Sequence, residues 1–152
     1  MTESTDPYVY PGTDVLENLR DISDSDILAR FEAEATSRRI IQLINTPVPG
    51  KFDTAQLKAI HKHIFQDVYA WAGQFRMVSI SKGDHSFGAP AFVEPALNDL
   101  LQKLSAENYL RAVNPKVFAS RAGFFLGEIN AAHPFREGNG RTQPETMDID
   151  GL

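Results

Sequence analysis

Apolar residues return at helical spacing in four stretches of this chain, each bracketed by capping or breaking residues. In the first, Ile27, Leu28, Phe31, Ala35, Ile41 and Ile44 recur with roughly a helical period. Ser23 or Asp24 offers the N-cap, and Thr46-Pro47-Val48-Pro49-Gly50 ends the run. The second opens on Asp53-Thr54-Ala55-Gln56, which has the form of a capping box: the carboxylate faces the first amides and Gln56 reaches back. Leu57, Ile60, Ile64 and Val68 then share a face, and Gly73 stops the helix. The third places Pro95 where a first turn begins and buries Leu97, Leu100, Leu101 and Leu104. The fourth has Asn114 as cap and Pro115 behind it. Its face carries Val117, Phe118, Ala122, Phe125 and Ile129, while Phe124 and Leu126 make the other sides apolar too, the pattern of a central helix. Gly123 and Gly127 on it would admit a close neighbour.

The period changes between the second and third helices. Arg76-Met77-Val78-Ser79-Ile80-Ser81 has β character, Lys82-Gly83-Asp84 is turn chemistry, and Phe87-Gly88-Ala89-Pro90 returns the chain. This predicts a small hairpin or flap, too short to stand alone as a sheet and therefore leaning on the helices. Residues 1–23 are irregular, with Tyr8-Val9-Tyr10-Pro11-Gly12-Thr13 as an aromatic segment broken by a turn and laid against the domain. The expected fold is mainly α.

Composition narrows the classes. At 152 residues, with 42% hydrophobic and 23% charged content, the chain suits one soluble domain with a single core. A net charge of −5 gives no basic excess for direct nucleic-acid binding. The absence of cysteine excludes disulfides and thiolate metal sites. No apolar run is long enough to span a bilayer, and Met1 to Pro7 lacks the basic and apolar regions of a signal peptide, so a cytoplasmic location is expected.

The chemistry is concentrated in the eleven residues from His133 to Gln143, directly behind the fourth helix. His133 has a pKa near neutrality, suited to taking a proton from a hydroxyl. Glu137 is a hard oxygen ligand of the kind Mg²⁺ uses together with substrate phosphates. Gly138, Asn139 and Gly140 can turn backbone amides into an anion nest, a helix opening at Arg141-Thr142-Gln143 would add its free amides, and Arg141 adds a fixed positive charge. Phe135 has no polar role and is assigned as the loop's anchor in the core. A base, a metal carboxylate and a cradle for negative oxygens together suit phosphate transfer from a nucleotide.

His133-Pro134-Phe135-Arg136-Glu137-Gly138-Asn139-Gly140-Arg141 closely resembles the signature of the Fic (filamentation induced by cAMP) family. The resemblance reaches upstream through Leu57–Phe65, Asp67–Arg76, Ile80–Gly83 and Tyr10-Pro11-Gly12-Thr13, so that a core of about residues 8–143 lies within it and 144–152 forms a divergent tail. It implies a helical bundle with a β-hairpin flap over the active-site loop, and AMP transfer from ATP to a Tyr, Thr or Ser hydroxyl of a target protein. By position, His133 would be the base, Glu137 the Mg²⁺ ligand, Asn139 with the backbone of Gly138 and Gly140 the phosphate cradle, and Arg141 the clamp on the distal phosphates. Ser79, Ile80, Ser81, Lys82 and Gly83 in the flap would align the target by strand addition. Family toxins include ones acting on type II topoisomerases, and others are secreted into host cells; inhibition by a small antitoxin docked on the first helix is the matching form of control. Relatives also differ in donor, so UTP, GTP and CDP-choline stand beside ATP.

One departure matters. The family carries a second arginine three residues after Arg141, where this chain has Pro144, and it continues with more helix where this chain runs Glu145 to Leu152. That implies a Fic domain truncated or altered behind its motif, and it raises the alternative of an impaired nucleotide- or partner-binding module. Other features have plainer readings. His61 and His63, two apart, face different directions on a helix, which favours packing or surface roles over metal binding. His85 is a solvated turn residue unless it meets target or nucleotide, and Lys82 is a turn lysine or a phosphate contact. Tyr69, Trp71 and Phe75 are expected in the core. Thr13-Asp14-Val15-Leu16-Glu17-Asn18 matches the letters of a family inhibitory helix but falls in the irregular entry segment.

Overall fold

A computed structural model describes residues 6–142. Gln143 and the tail 144–152, with Pro144, lie outside the described residues. The fold is mainly α, with α1 (Ser25–Asn45), α2 (Thr54–Phe65), α3 (Val93–Ala106) and α4 (Pro115–Ala132), and a hairpin of β1 (Ser81–Lys82) and β2 (His85–Ser86) between α2 and α3. Among the described residues no helix is long and apolar enough to cross a membrane.

Side-chain caps set the starts of three helices. Asp24 Oδ1 accepts from the amides of Asp26 and Ile27 at the head of α1, Asp53 Oδ1 from Gln56 N at α2, and Asn114 Oδ1 from Val117 N at α4. Each such cap contributes about 1 kcal/mol. Gln56 reaches one residue further back than a capping box would: its Oε1 accepts from Phe52 N at 2.6 Å and its Nε2 donates to Val48 O. Pro95 lies in the first turn of α3, which begins two residues earlier, at Val93, behind a short 3-10 turn over Pro90–Phe92.

The inner face of α1 differs from the expected one. Leu28 and Ala35 are buried, but so are Glu32 and Thr36, whereas Ile27, Ile41 and Ile44 are exposed. The helix turns these polar residues inward because they meet Arg141, from the loop behind α4. Helix α4 also departs from expectation. Only Ala122, Phe125 and Ile129 are buried on it, Val117 and Phe124 are more than a third exposed, and open space lies over Gly123 and Gly127. Its neighbours among the described elements are α3 and the turn at Asn108–Leu110, so its outer side faces solvent there.

Two apolar clusters make the core. One joins Leu57, the inner leucines of α3, the buried face of α4 and Phe135; the other joins α1, the far side of α2 and Val68 to Ala72. Helix α2 serves both, since Leu57 points to the first and Ile60, Ile64 and Phe65 to the second. Each fully buried side chain of this size stabilises the fold by about 2 kcal/mol. Tyr69 is buried, and Phe75 and Trp71 pack on the core as partly buried rings. The entry segment is held down by Asn18, whose amide donates to Leu16 O and Ile22 O and accepts from Arg20 N and Ile22 N. Thr13 to Asn18 is turn and bridge backbone rather than helix, with Glu17 exposed.

Candidate active site

Helix α4 ends on His133, which adopts the left-handed conformation (φ 46°) as C-cap. A histidine there is strained by about 1 kcal/mol or more relative to glycine, and its neighbours hold it from both sides. Its N–H donates to Ile129 O, and its carbonyl accepts from Arg76 Nε at 2.7 Å. Nδ1 lies 3.2 Å from Asn130 O. A carbonyl only accepts, so Nδ1 carries the proton and Nε2 keeps its lone pair. The ring stacks on Phe87 of the flap, 4.0 Å between centroids and 12° between planes. Burial lowers the imidazole's pKa below 6.5, with the Arg76 and Lys82 charges adding to that and Asn130 O and Glu137 opposing it. His133 is therefore neutral at pH 7, as a base must be.

The loop behind it is fixed from within. Phe135 is 1% exposed and stacks on His61 at 3.8 Å. Its N–H donates to Asn139 Oδ1, and its carbonyl accepts from Asn139 Nδ2, both at 2.8 Å. The Asn139 amide thus closes the loop on itself. Gly138 has φ +82°, and a methyl there would sit 2.2 Å from Phe65 Cζ, so glycine is required by both conformation and space. His61, fully buried, reads the loop from α2: Nε2 donates to Glu137 O at 2.9 Å, while Nδ1 accepts from Gly73 N. Burial pushes its pKa down from 6.5 to about 4, so it is held neutral in one tautomer.

Charged groups surround a cavity of about 250 Å³ lined by Lys82, His133 and the loop from Arg136 to Arg141. Glu137 Oε1 accepts from Gly138 N at 3.1 Å, so a loop amide already holds one anionic oxygen. Arg136 pairs with Asp6 at 2.7 Å and ties the entry segment to the loop. Helical backbone begins at Asn139 and continues to Thr142, the last described residue. On its first turn Arg141 donates to Glu32 at 2.6 Å, and Glu32 in turn accepts from the Tyr69 hydroxyl. Burial, and then the Glu32 carboxylate, push the Tyr69 hydroxyl's pKa up, so it keeps its proton and donates.

Of the flap residues singled out in the sequence, Lys82 lines the cavity, while Ser79, Ile80, Ser81 and Gly83 do not. The ladder pairs Ser81 with Ser86 and Lys82 with His85, all of them exposed. Its stem is held by Arg76, whose Nη1 donates to Val78 O and Nη2 to Gly88 O. His63 bonds Gln42 at the surface. Glu32, Arg76 and His61 join the site without being among its sequence candidates, and Phe87, at the far end of the flap, stacks on His133. Glu32 and His61 did leave a signal, since each is a polar residue in phase with apolar neighbours on its helix.

Among the described residues no three His, Cys, Asp or Glu side chains come together to hold an ion. Among the described residues that line the cavity, Glu137 alone offers a carboxylate, which fits Mg²⁺ held largely by nucleotide phosphates and water.

The Fic/DOC family model matches residues 51–149, and the chain belongs to that family. It is 44% identical over 142 residues to "Protein adenylyltransferase VbhT" of Bartonella schoenbuchensis, covering 93% of this chain and 30% of that one. It is 45% identical over 139 residues to "Probable protein adenylyltransferase y4lH" of Sinorhizobium fredii, covering 91% and 71% respectively. The crystal structure of BepC, a VirB-translocated effector of Bartonella tribocorum with bound AMPPNP, superimposes with a TM-score of 0.86 at 28% identity, covering 95% of this chain and 76% of that one.

Proposed function

We propose that this chain acts as one Fic-like domain that transfers AMP from ATP to a hydroxyl side chain of a target protein. The observation that carries the reading is His133: its Nδ1 proton is tied to Asn130 O, which leaves Nε2 as the free acceptor, and the residue lines a cavity together with Glu137 and the loop to Arg141. Nε2 takes the hydroxyl proton, the oxygen bonds to the α-phosphorus, and the bond to the β-phosphate oxygen breaks to release pyrophosphate. Loop amides at Gly138, Asn139 and Gly140 receive phosphate oxygens, as Gly138 N already receives a carboxylate oxygen. The Asn139 side chain holds the loop and leaves the phosphate contact to its backbone. Arg141 takes the distal phosphates. Glu137 would hold Mg²⁺, which neutralises phosphate charge when bound. The flap around Ser79 to Gly83 receives the target segment along its open edge, with Lys82 beside the phosphates.

The narrower forms of this reading place the target in the cell's own cytoplasm or, as for a translocated effector, in a host's. A toxin-like role against a type II topoisomerase, restrained by a small antitoxin, is the most specific of them and rests on family resemblance. Label transfer tests the core of the proposal. Label from α-labelled ATP should pass to protein with the intact chain and not with His133→Ala, and label from γ-labelled ATP should not pass at all. Transfer of the γ label, or equal α labelling by His133→Ala, overturns it. Pro144, in place of the family's second arginine, favours one other reading: a module that binds ATP without turnover, seen as nucleotide binding with no transfer.

A further inference from the structure

We propose that Glu32 on α1 is a positioning residue that fixes the guanidinium of Arg141 for the distal phosphates of the nucleotide. The proposal rests on the phosphate-clamping role of Arg141 given above. Glu32 occupies the inner face of α1 between Leu28 and Ala35 and is 8% exposed. Placing a carboxylate there is unfavourable unless it is fully partnered, and this one is. Tyr69 donates to its Oε2 from behind, and Arg141 Nη1 donates to its Oε1 at 2.6 Å from the loop side.

Thr36, one turn along α1, completes the arrangement. Its hydroxyl donates to Glu32 O at 2.7 Å, which leaves its oxygen to accept from Arg141 Nη1 at 3.4 Å. The Phe65 ring lies under the guanidinium, 5.5 Å from Cζ to centroid. One edge of Arg141 is thereby held by α1 and one face by α2, while the side chain stays 40% exposed at the cavity wall. Arginine carries five donors in a rigid fork, so fixing Nη1 presents the rest in one orientation, the arrangement that two phosphate oxygens require. Tyr69 keeps the carboxylate from following the arginine outward. Binding then costs less side-chain ordering than it would with a free arginine.

Electrostatics alone predicts the opposite sign, and this makes the proposal testable. Removing the Glu32 charge raises the net positive potential at the cavity and would tighten polyphosphate binding if charge decided the outcome. If positioning decides it, Glu32→Gln weakens binding. Glutamine keeps the shape and an acceptor for Tyr69, so the fold is preserved. The experiment is calorimetric titration of the full chain and of Glu32→Gln and Tyr69→Phe with AMPPNP and with AMP, both with Mg²⁺.

The expected result is a loss of about tenfold in AMPPNP affinity for Glu32→Gln, a smaller loss for Tyr69→Phe, and unchanged AMP affinity, because AMP lacks the distal phosphates. Equal or tighter AMPPNP binding by Glu32→Gln overturns the positioning role and leaves the proposed function standing. An equal loss for AMP and AMPPNP also overturns it, since it would mean general damage to the pocket. An unsubstituted chain that binds neither nucleotide overturns the functional reading itself, and the role of Glu32 with it.

Discussion

The loop from His133 to Arg141 and the flap face each other across one cavity and are built in opposite ways. In the loop, successive groups are fastened to something buried: His133 by Arg76 and Ile129, Phe135 by Asn139 and His61, and Glu137 O by His61. The flap has two paired residues per strand, all exposed, and its attachments are at the stem through Arg76 and at Phe87. A ladder that short has no stability of its own. Under the proposed function, the groups that would meet the phosphates are preorganised, and the strand that would receive a polypeptide of variable shape is left adaptable.

The contrast is sharpened first by removing the loop's anchor. Phe135→Ala empties a site stacked on His61 and should cost about 4 kcal/mol, read as a lower denaturation midpoint together with loss of nucleotide binding. Next comes acid. The depressed pKa of His61 means that the unfolded chain binds its proton more readily than the folded one. Stability from this group is complete above 6.5, falls as pH drops from 6.5 to about 4, and is then exhausted. Denaturation at stepped pH should show a loss on the order of 3 kcal/mol across that window, absent in His61→Asn. Arg76→Lys keeps a charge but cannot reach carbonyls on both flap feet. It should cost about 2 kcal/mol and should impair transfer to protein more than AMPPNP binding. Smallest is Gly83→Ala at the flap tip, where φ is +61° and space is open. It should change stability by about 1 kcal/mol at most and leave nucleotide affinity unchanged. A Gly83→Ala effect as large as that of Phe135→Ala would break the comparison.

The parts legible in the sequence were those written locally. Asp24, Asp53, Asn114 and Pro115 mark helix starts within one turn of themselves, and the loop's residue types announce phosphate chemistry in consecutive positions. The parts that were not legible depend on distant partners. His61 meets Glu137 across 76 residues and Arg76 meets His133 across 57, separations that no local period reports. The inner face of α1 does not follow apolarity, because Glu32 and Thr36 turn inward to reach Arg141 while Ile27, Ile41 and Ile44 stay exposed. The composition of helix α4 points to a central position, but apolar residues also occupy exposed positions, and Phe124 lies under the Arg121 guanidinium at 4.6 Å.

Amide hydrogen exchange on the nucleotide-free chain tests the central contrast most directly. The amides of Gly73, Arg76 and Phe135, bonded to His61, Pro134 and Asn139, report the loop and its supports; those of Ser81 to Phe87 report the flap. A loop fixed before any ligand arrives predicts exchange at least about a hundredfold slower in the first group than in the second. Equal rates in the two groups, or loop amides that become protected only when AMPPNP is added, would contradict it.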